Sequence, residues 1–181
     1  MNKLHLVSTK KPNKEIKKLY IEAFPAIERI PFFLLKQLTK KGKADFFEIY
    51  DDTNRIGMLY IVYYKDIVFV FYLAIDNKLR GRGYGTLILD LIKEKYSENR
   101  IILNIEKLDE NSANYEQRLK RKAFYEKNGF KSLEYFVKEG PEFYEMLYYS
   151  KNNLRVEKQE YEELVRNYLG KAFYGIYKII S

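Results

Sequence analysis

The stretch Arg80-Gly81-Arg82-Gly83-Tyr84-Gly85 decides how the rest of the chain is understood. It lies between an apolar run, Ile67 to Ile75, and a helical pattern, Thr86 to Tyr96. Backbone amides at the start of a helix lack acceptors within the helix, and the helix dipole favours an anion there. Glycines let the backbone approach a ligand without a Cβ clash, and two arginines add positive charge. The stretch therefore predicts a site for a phosphate-bearing molecule.

Composition narrows the class of protein. The 181 residues include no cysteine and one histidine, His5, which excludes disulfides, thiolate nucleophiles and Cys/His zinc sites, so no metal site is expected. No run approaches the roughly 20 apolar residues of a membrane span, and Met1 to Lys18 is too rich in lysine for a signal peptide. A cytoplasmic protein without a membrane segment is expected. The net charge of +8 fits a polyanionic partner, although lysine runs are more often solvated surface.

Hydrophobic periodicity and turn residues predict an alternation of helices and strands. Helices are expected at 13–24, 31–40, 86–96, 115–128 and 156–169, and strands at 4–8, 45–50, 55–64, 67–75, 101–106, 131–137, 142–149 and 171–180.

The spacing of these elements predicts the fold class. Tight turns join the three strands between 45 and 75, which is typical of an antiparallel meander. The passage from 67 to 106 is a strand–loop–helix–strand unit, so its two strands should be parallel with a right-handed crossover. The expected fold is α+β, with a mixed, mostly antiparallel sheet, one central parallel β-α-β crossover and flanking helices. A single domain over 1–181 is expected, with N-terminal helices at 13–41, a core at 45–149 and a helix–strand extension at 150–181.

Two common phosphate-binding motifs do not match the glycine-rich stretch. A Walker loop needs a Gly-Lys-Ser/Thr ending, which this chain lacks. A dinucleotide fingerprint needs a third glycine three residues after Gly83, where Thr86 stands instead. That fingerprint also belongs to repeated βαβ units, whereas this loop follows a meander.

The spacing Arg-x-x-Gly-x-Gly does match, as Arg80, Gly83 and Gly85. In this stretch the chain resembles the GNAT superfamily of acetyl-CoA-dependent N-acetyltransferases. A second segment, Ala123-Phe124-Tyr125-Glu126-Lys127-Asn128-Gly129-Phe130, is similar to the A-x-Y-x-x-x-G-F segment of that family. The resemblance covers about Asp45 to Tyr149 and includes the order of elements. The alternative, a structural glycine turn followed by an ordinary helix end, leaves the pairing of the two motifs unexplained.

The resemblance implies a binding site for acetyl-CoA. The pyrophosphate would lie on the backbone amides from Arg80 to Gly85 and Thr86, at the positive end of the following helix. The pantetheine arm would pair with the strand Phe71 to Ile75 through backbone groups of Leu73 and Ile75, along an edge that strand 101–106 leaves free. The expected cofactor-binding residues are Leu73, Ala74, Ile75, Arg80, Gly81, Arg82, Gly83, Tyr84, Gly85 and Thr86.

The resemblance also implies catalytic and substrate residues. Tyr125 lies where the family often places a tyrosine near the sulfur of CoA, and a phenol there can give a proton to the departing thiolate. Glu106 ends a strand beside the expected cleft and is the candidate base for the acceptor amine. Glu28 is a second candidate on the substrate side, and Tyr72 is a candidate for positioning a water molecule or the acetyl group. Each of these residues also has a purely structural interpretation.

The chain departs from the family pattern before Tyr125. The family usually carries an asparagine seven residues earlier that touches the cofactor arm, and here that position is Arg118. Asn104 and Asn111 are the candidates to replace it. A solvated helix face is expected for the basic cluster Arg118, Lys120, Arg121 and Lys122, with contact of Arg118 or Arg121 to CoA phosphates or an acidic substrate group as the alternative.

The sequence therefore favours an N-acetyltransferase that transfers acetyl directly from acetyl-CoA to a primary amine of a small molecule or peptide. One alternative is a GNAT-fold protein that binds CoA without transfer activity. A basic nucleic-acid-binding module is less favoured, because the chain carries no recognised RNA or DNA motif. Three roles stay open for residues 150–181: completing the acceptor site, packing on the core, or forming a homodimer contact.

Overall fold

The computed structural model describes residues 4–170 with their side chains and residues 177–180 as backbone. The helices are α1 (Lys14–Ala23), α2 (Phe32–Lys40), α3 (Tyr84–Lys95), α4 (Tyr115–Lys127) and α5 (Lys158–Leu169). The strands are β1 (Leu4–Ser8), β2 (Ala44–Asp51), β3 (Asn54–Tyr64), β4 (Ile67–Ile75), β5 (Arg100–Glu106), β6 (Lys131–Glu139), β7 (Glu142–Tyr149) and β8 (Tyr177–Ile180).

The chain forms two compact units that share strand β4. The first unit comprises the residues up to Tyr63 together with Val70–Lys95, and the second comprises Tyr64–Phe69 and the residues from Tyr96 onward. Strand β4 therefore begins in the second unit and ends in the first.

The first unit is a meander with helices α1, α2 and α3. Its strands follow the order β1-β2-β3-β4. Strand β2 pairs antiparallel with both β1 and β3. Strands β3 and β4 are neighbours joined by the two-residue turn Lys65-Asp66, so the meander predicted from the tight turns is present. Helix α1 buries Ile16 and Tyr20, and α2 buries Leu35, because these residues recur at the three- and four-residue spacing of one helix face.

The second unit contains the parallel pair. Ile67 to Phe69 of β4 pair in parallel with Arg100 to Ile102 of β5, and the remaining order is β5-β7-β6-β8 with antiparallel registers. Phe69 packs edge-on against Tyr161 of α5, with 5.7 Å between ring centroids. The predicted fold class, α+β with a mostly antiparallel sheet and a parallel crossover, is confirmed.

Two helix starts differ by two residues from the sequence prediction. Helix α3 begins at Tyr84 rather than Thr86, so the last two residues of the glycine-rich stretch are helical. Helix α5 begins at Lys158 rather than Val156, because Val156 is buried and the Glu157 amide donates to the Glu160 carboxylate (2.9 Å) as a helix cap. The predicted strand 171–180 is observed at 177–180, and its first six residues lie outside the described ranges.

Of the helices in the described ranges, none combines the length and the apolar character needed to cross a membrane.

Candidate functional site

The glycine-rich loop adopts a backbone that needs glycine and leaves open space beside it. Gly81 and Gly83 have φ values of +75° and +83°, in the left-handed region that side chains disfavour. A Cβ built on either residue meets no atom within 4 Å. Neighbouring side chains of this protein therefore do not explain the glycines, and the free space over the loop suits a ligand.

Helix α3 begins inside the loop. The Leu87 amide bonds to the Gly83 carbonyl oxygen (3.4 Å), which places Tyr84, Gly85 and Thr86 in the first turn. Amides of a first turn have no acceptor within their own helix. The Tyr84 phenol donates to Oδ2 of Asp51 (2.6 Å), which fixes the helix start to the end of β2. Arg80 and Arg82 are exposed. The loop thus combines the amides of a helix start, a helix dipole and two exposed cations, which is a good environment for a pyrophosphate.

Strand β4 is the edge strand of the first unit from Val70 to Ile75. Tyr72 and Ala74 are buried, whereas Leu73 and Ile75 are half-buried. The Ala74 carbonyl oxygen approaches β3 so closely that a Cβ on Gly57 would lie 2.5 Å from it. Glycine at position 57 therefore leaves room for this oxygen, in the part of β4 that the sequence assigned to the cofactor arm. An edge strand can accept an extended ligand as a further strand.

The candidate substrate residues Glu28 and Tyr72 are brought together, but through the backbone of Glu28. The Tyr72 phenol donates to the Glu28 carbonyl oxygen (2.7 Å) and accepts from the Ile30 amide (3.1 Å). The Tyr20 phenol donates to the Ile30 carbonyl oxygen (2.9 Å). Burial raises the pKa of Tyr20 to about 12, so this donor keeps its proton. Tyr72 thus anchors the segment between α1 and α2, a role that the sequence did not suggest.

The end of α4 explains much of the spacing of the second motif. The Gly129 amide bonds to the Glu126 carbonyl (2.9 Å), and the Phe130 amide bonds to the Tyr125 carbonyl (3.1 Å). Gly129 has a φ of +84°. Together these are the two bonds of a Schellman helix stop, whose usual apolar contact is supplied by the rings of Tyr125 and Phe130 at 5.8 Å.

Tyr125 is half-buried, and its phenol has an altered acidity. Burial raises the pKa of Tyr125, and the positive charge of Arg121, one turn earlier on α4, partly offsets this increase. The phenol is therefore protonated at neutral pH and available as a hydrogen-bond donor. Its raised pKa also increases the cost of giving the proton away completely.

Glu106 is buried at the end of β5 and forms an ion pair with Arg121. The guanidinium of Arg121 thus contacts the candidate base directly and affects the candidate acid through its charge. Any cationic acceptor that reaches Glu106 has to share the carboxylate with Arg121 or displace it.

The neighbouring cations of α4 are not a uniform solvated face. The Arg118 side chain is only 12% exposed, and it donates to Oδ1 of Asn114 (2.8 Å) and to the Lys107 carbonyl oxygen (2.8 Å). Lys122 donates to the buried carboxylate of Glu145 (2.8 Å), whereas Lys120 is exposed. The solvated role expected for Arg118 is therefore wrong, because three acceptors including Glu142 surround it.

The two asparagines considered as replacements for the family residue both have partners. Asn104 donates to the Glu139 carboxylate (3.0 Å), and Asn111 donates to the Asp109 carboxylate through its backbone amide (3.0 Å). Two further residues of interest escaped the sequence analysis: Asp51, which holds Tyr84, and Arg121 as the partner of Glu106. The i, i+4 spacing of Arg121 and Tyr125 indicates that these two side chains are neighbours on α4, but it does not indicate the pairing with Glu106.

Comparison with models of protein families gives one match. The model of the acetyltransferase (GNAT) domain matches residues 42–132, which is half of the chain and includes both the glycine-rich loop and Tyr125. No curated protein matches significantly.

Solved structures of similar fold cover most of the chain. A Bacteroides thetaiotaomicron protein assigned to the GNAT acetyltransferases has a TM-score of 0.71 and 24% identity, covering 90% of this chain and 92% of its own. A Bacillus subtilis acetyltransferase in complex with CoA has a TM-score of 0.60 and 16% identity, covering 82% and 99%. A chimeric spermidine N-acetyltransferase from Vibrio cholerae has a TM-score of 0.65 and 17% identity, covering 82% and 96%. At these identities the likeness supports the fold.

Proposed function

Because this chain belongs to the acetyltransferase (GNAT) family, we propose that it transfers the acetyl group directly to a primary amine in a ternary complex, without an acyl-enzyme. The family takes the acetyl group from acetyl-CoA, which is therefore the cofactor of this chain. When bound, acetyl-CoA supplies a thioester whose carbonyl carbon accepts the amine.

The glycine-rich loop is the observation that carries the proposal. Its two left-handed glycines, the open space over them and the start of α3 at Tyr84 together form an anion site. In this proposal the amides from Gly81 to Thr86 hold the pyrophosphate, and the backbone of Leu73 to Ile75 pairs with the pantetheine arm. Arg80 and Arg82 add positive charge around the phosphates.

Direct transfer agrees with the residue inventory. The chain has no cysteine, so no thiol can carry the acetyl group between donor and acceptor. A lysine-like amine has an ordinary pKa near 10.4 and has to lose a proton before it attacks. We assign that proton to the Glu106 carboxylate, directly or through water. The thiolate that leaves gains a proton or a hydrogen bond from the Tyr125 phenol, and the new amide nitrogen releases its surplus proton to water.

The acceptor is proposed to approach along the segment between α1 and α2, where Glu28 lies. Tyr72 would act there by holding the segment in place, since its hydroxyl already donates to the backbone of Glu28. Support for an amine acceptor comes from the family and from the spermidine N-acetyltransferase among the structures of similar fold.

Calorimetry and turnover together test this proposal. Saturating acetyl-CoA should raise the melting temperature, because a ligand that binds only the folded state stabilises it. Turnover is then measured with a panel of amines that includes spermidine, lysine peptides and small metabolites. Unchanged stability with acetyl-CoA would remove the main support for the cofactor site.

Binding without turnover on any amine would favour a CoA-binding protein that has lost transfer activity. Affinity for nucleic acid that falls steeply with salt, without acetyl-CoA binding, would favour the basic module.

A further inference from the structure

A groove of about 410 Å³ lies between α1 and α2 in the first unit. It is lined chiefly by Lys14 and Lys17 of α1 and by Phe32, Phe33 and Lys36 of α2. We call it the lysine–phenylalanine groove. It is separate from the residues assigned above to acetyl-CoA and to proton transfer.

The cations of the groove are not neutralised. Within the described ranges, Lys14, Lys17 and Lys36 form no ion pair. The acidic residues of α1 have other partners: Glu15 pairs with Arg55, and Glu22 lies 3.7 Å from Lys18. The groove therefore presents a concentrated positive charge that an anionic partner would offset.

The apolar part of the groove is unusually accessible. Phe33 is 66% exposed, although it stands on a helix whose opposite face buries Leu35 and Leu38. Ile21, which is 46% exposed, follows Lys17 by four residues and extends the same face of α1. Covering the exposed part of a phenylalanine side chain removes apolar surface from water and so favours binding.

The two helices that form the groove are held in a fixed relation to the sheet of their unit. The segment that connects them is bonded to the Tyr72 and Tyr20 phenols through Glu28 and Ile30. A preformed groove loses little entropy when a partner binds.

We propose that the lysine–phenylalanine groove binds an acidic polypeptide segment in which an apolar side chain is flanked by carboxylates. The volume fits one large apolar side chain and its neighbours, and the three lysines surround that position with positive charge. A concave groove between helices suits a peptide better than a flat membrane surface. Single-stranded nucleic acid is less suited, since stacking needs successive aromatic rings and this groove exposes one ring strongly.

Fluorescence anisotropy on the full chain tests the proposal. The probe is a fluorescein-labelled peptide with a central leucine flanked on both sides by glutamates. We expect saturable binding that weakens as salt increases. The substitutions Lys17→Glu and Phe33→Ser should each reduce the affinity roughly tenfold, because the first reverses a groove charge and the second removes the apolar contact.

Matched variants on exposed residues of the second unit serve as controls. Lys120→Glu makes the same charge change on α4, and Leu154→Ser removes an apolar side chain that is 57% exposed. Both should keep the affinity of the unmodified chain. An equal loss in the controls, or no binding of the peptide, would overturn the proposal. Groove-dependent binding of phosphatidylserine vesicles or of a single-stranded oligonucleotide, without peptide binding, would also overturn it. None of these readouts requires acetyl transfer, so their failure is distinguishable from failure of the proposed function.

Discussion

Gly83 in the glycine-rich loop and Gly129 at the end of α4 have almost the same φ, +83° and +84°. A Cβ on Gly83 would meet nothing within 4 Å, whereas a Cβ on Gly129 would lie 3.5 Å from the ring of Tyr149. Gly129 belongs to a helix stop that the buried Phe130 completes. The comparison teaches that a positive φ explains both glycines, and that only the space beside Gly83 stays open for a ligand.

The largest expected effect comes from placing valine at each glycine. Gly83→Val should cost about 1 to 2 kcal/mol of unfolding free energy, from the left-handed backbone alone. It should also weaken acetyl-CoA binding about a hundredfold, because the side chain fills the space over the amides. Gly129→Val should cost a similar amount, about 1 to 2 kcal/mol, because a Cβ there makes only an ordinary contact with the Tyr149 ring (3.5 Å). It should leave the affinity of folded molecules unchanged. Urea denaturation and calorimetry measure the two quantities. An equal loss of acetyl-CoA affinity in both variants would contradict the distinction between the two glycines.

The next effect separates the two roles of Tyr125. Tyr125→Phe removes the hydroxyl and keeps the ring that packs on Phe130, so the unfolding free energy should change by less than about 0.5 kcal/mol. If the phenol assists the leaving thiolate, kcat should fall about a hundredfold with little change in the Kd of acetyl-CoA. Tyr115→Phe on the same helix is the control and should retain full activity. Full activity of the Tyr125 variant would leave this residue with its structural role alone.

A third effect, at Arg100, concerns the stability of the fold and leaves ligand binding unchanged. The Arg100 side chain is 13% exposed and bonds to Asp66 (2.7 Å) and Glu160 (2.7 Å). Arg100→Leu should cost about 2 kcal/mol, because it leaves two carboxylates without their cation. The Kd of acetyl-CoA should not change. Arg100 and its two partners have no part in the proposed function, so this variant is a reference for a loss of stability without a loss of binding.

The same ion pairs predict a pH dependence with a defined sign. Hydrogen bonds from Arg100 hold the pKa of Asp66 and of Glu160 below their ordinary values. The contribution of these two carboxylates to the unfolding free energy is therefore complete above their pKa values in the unfolded chain, about 4. It is lost as the pH falls through their lower pKa values in the folded protein. Water screens part of the effect at Asp66, which is 49% exposed. Lowering the pH from about 5 to about 3 should reduce the unfolding free energy of the unmodified chain more than that of Arg100→Leu, as measured by urea denaturation. Parallel curves of unfolding free energy against pH for the two proteins would contradict the prediction.

The smallest effect concerns Arg121. Its charge lowers the pKa of Tyr125 against the effect of burial, so Arg121→Gln should raise that pKa further. Activity that needs the protonated phenol should then persist to a higher pH. The pH profile of kcat measures the alkaline limb, and Lys120→Gln is the matched control. A limb that moves to lower pH would show that Tyr125 is not the group that titrates.

The fold could be predicted to a large extent because its signals are local. Apolar runs bounded by tight turns defined β4 and β7 with the bounds that the structure has. The start of α3 was placed two residues late, because Gly85 weakens any helix pattern while the Gly83 carbonyl still accepts the Leu87 amide.

The site was less predictable because its contacts are distant in sequence. The glycine spacing identified the loop, and the helix stop marked Tyr125. The bonds of Tyr72 to Glu28 and Ile30 span more than forty residues and leave no periodic signal. Arg118 resembled a solvated cation because nothing in the sequence shows that Lys107, Asn114 and Glu142 surround it.

The double role of the Tyr72 hydroxyl has a consequence for dynamics. The Ile30 amide has this phenol as its acceptor, so the amide exchanges its hydrogen with solvent only when the segment between α1 and α2 separates from β4. Hydrogen exchange at this single amide would therefore report how often the proposed acceptor wall opens. A bound amine that slows this exchange would identify itself as a ligand that holds this wall closed, whether or not a product is formed.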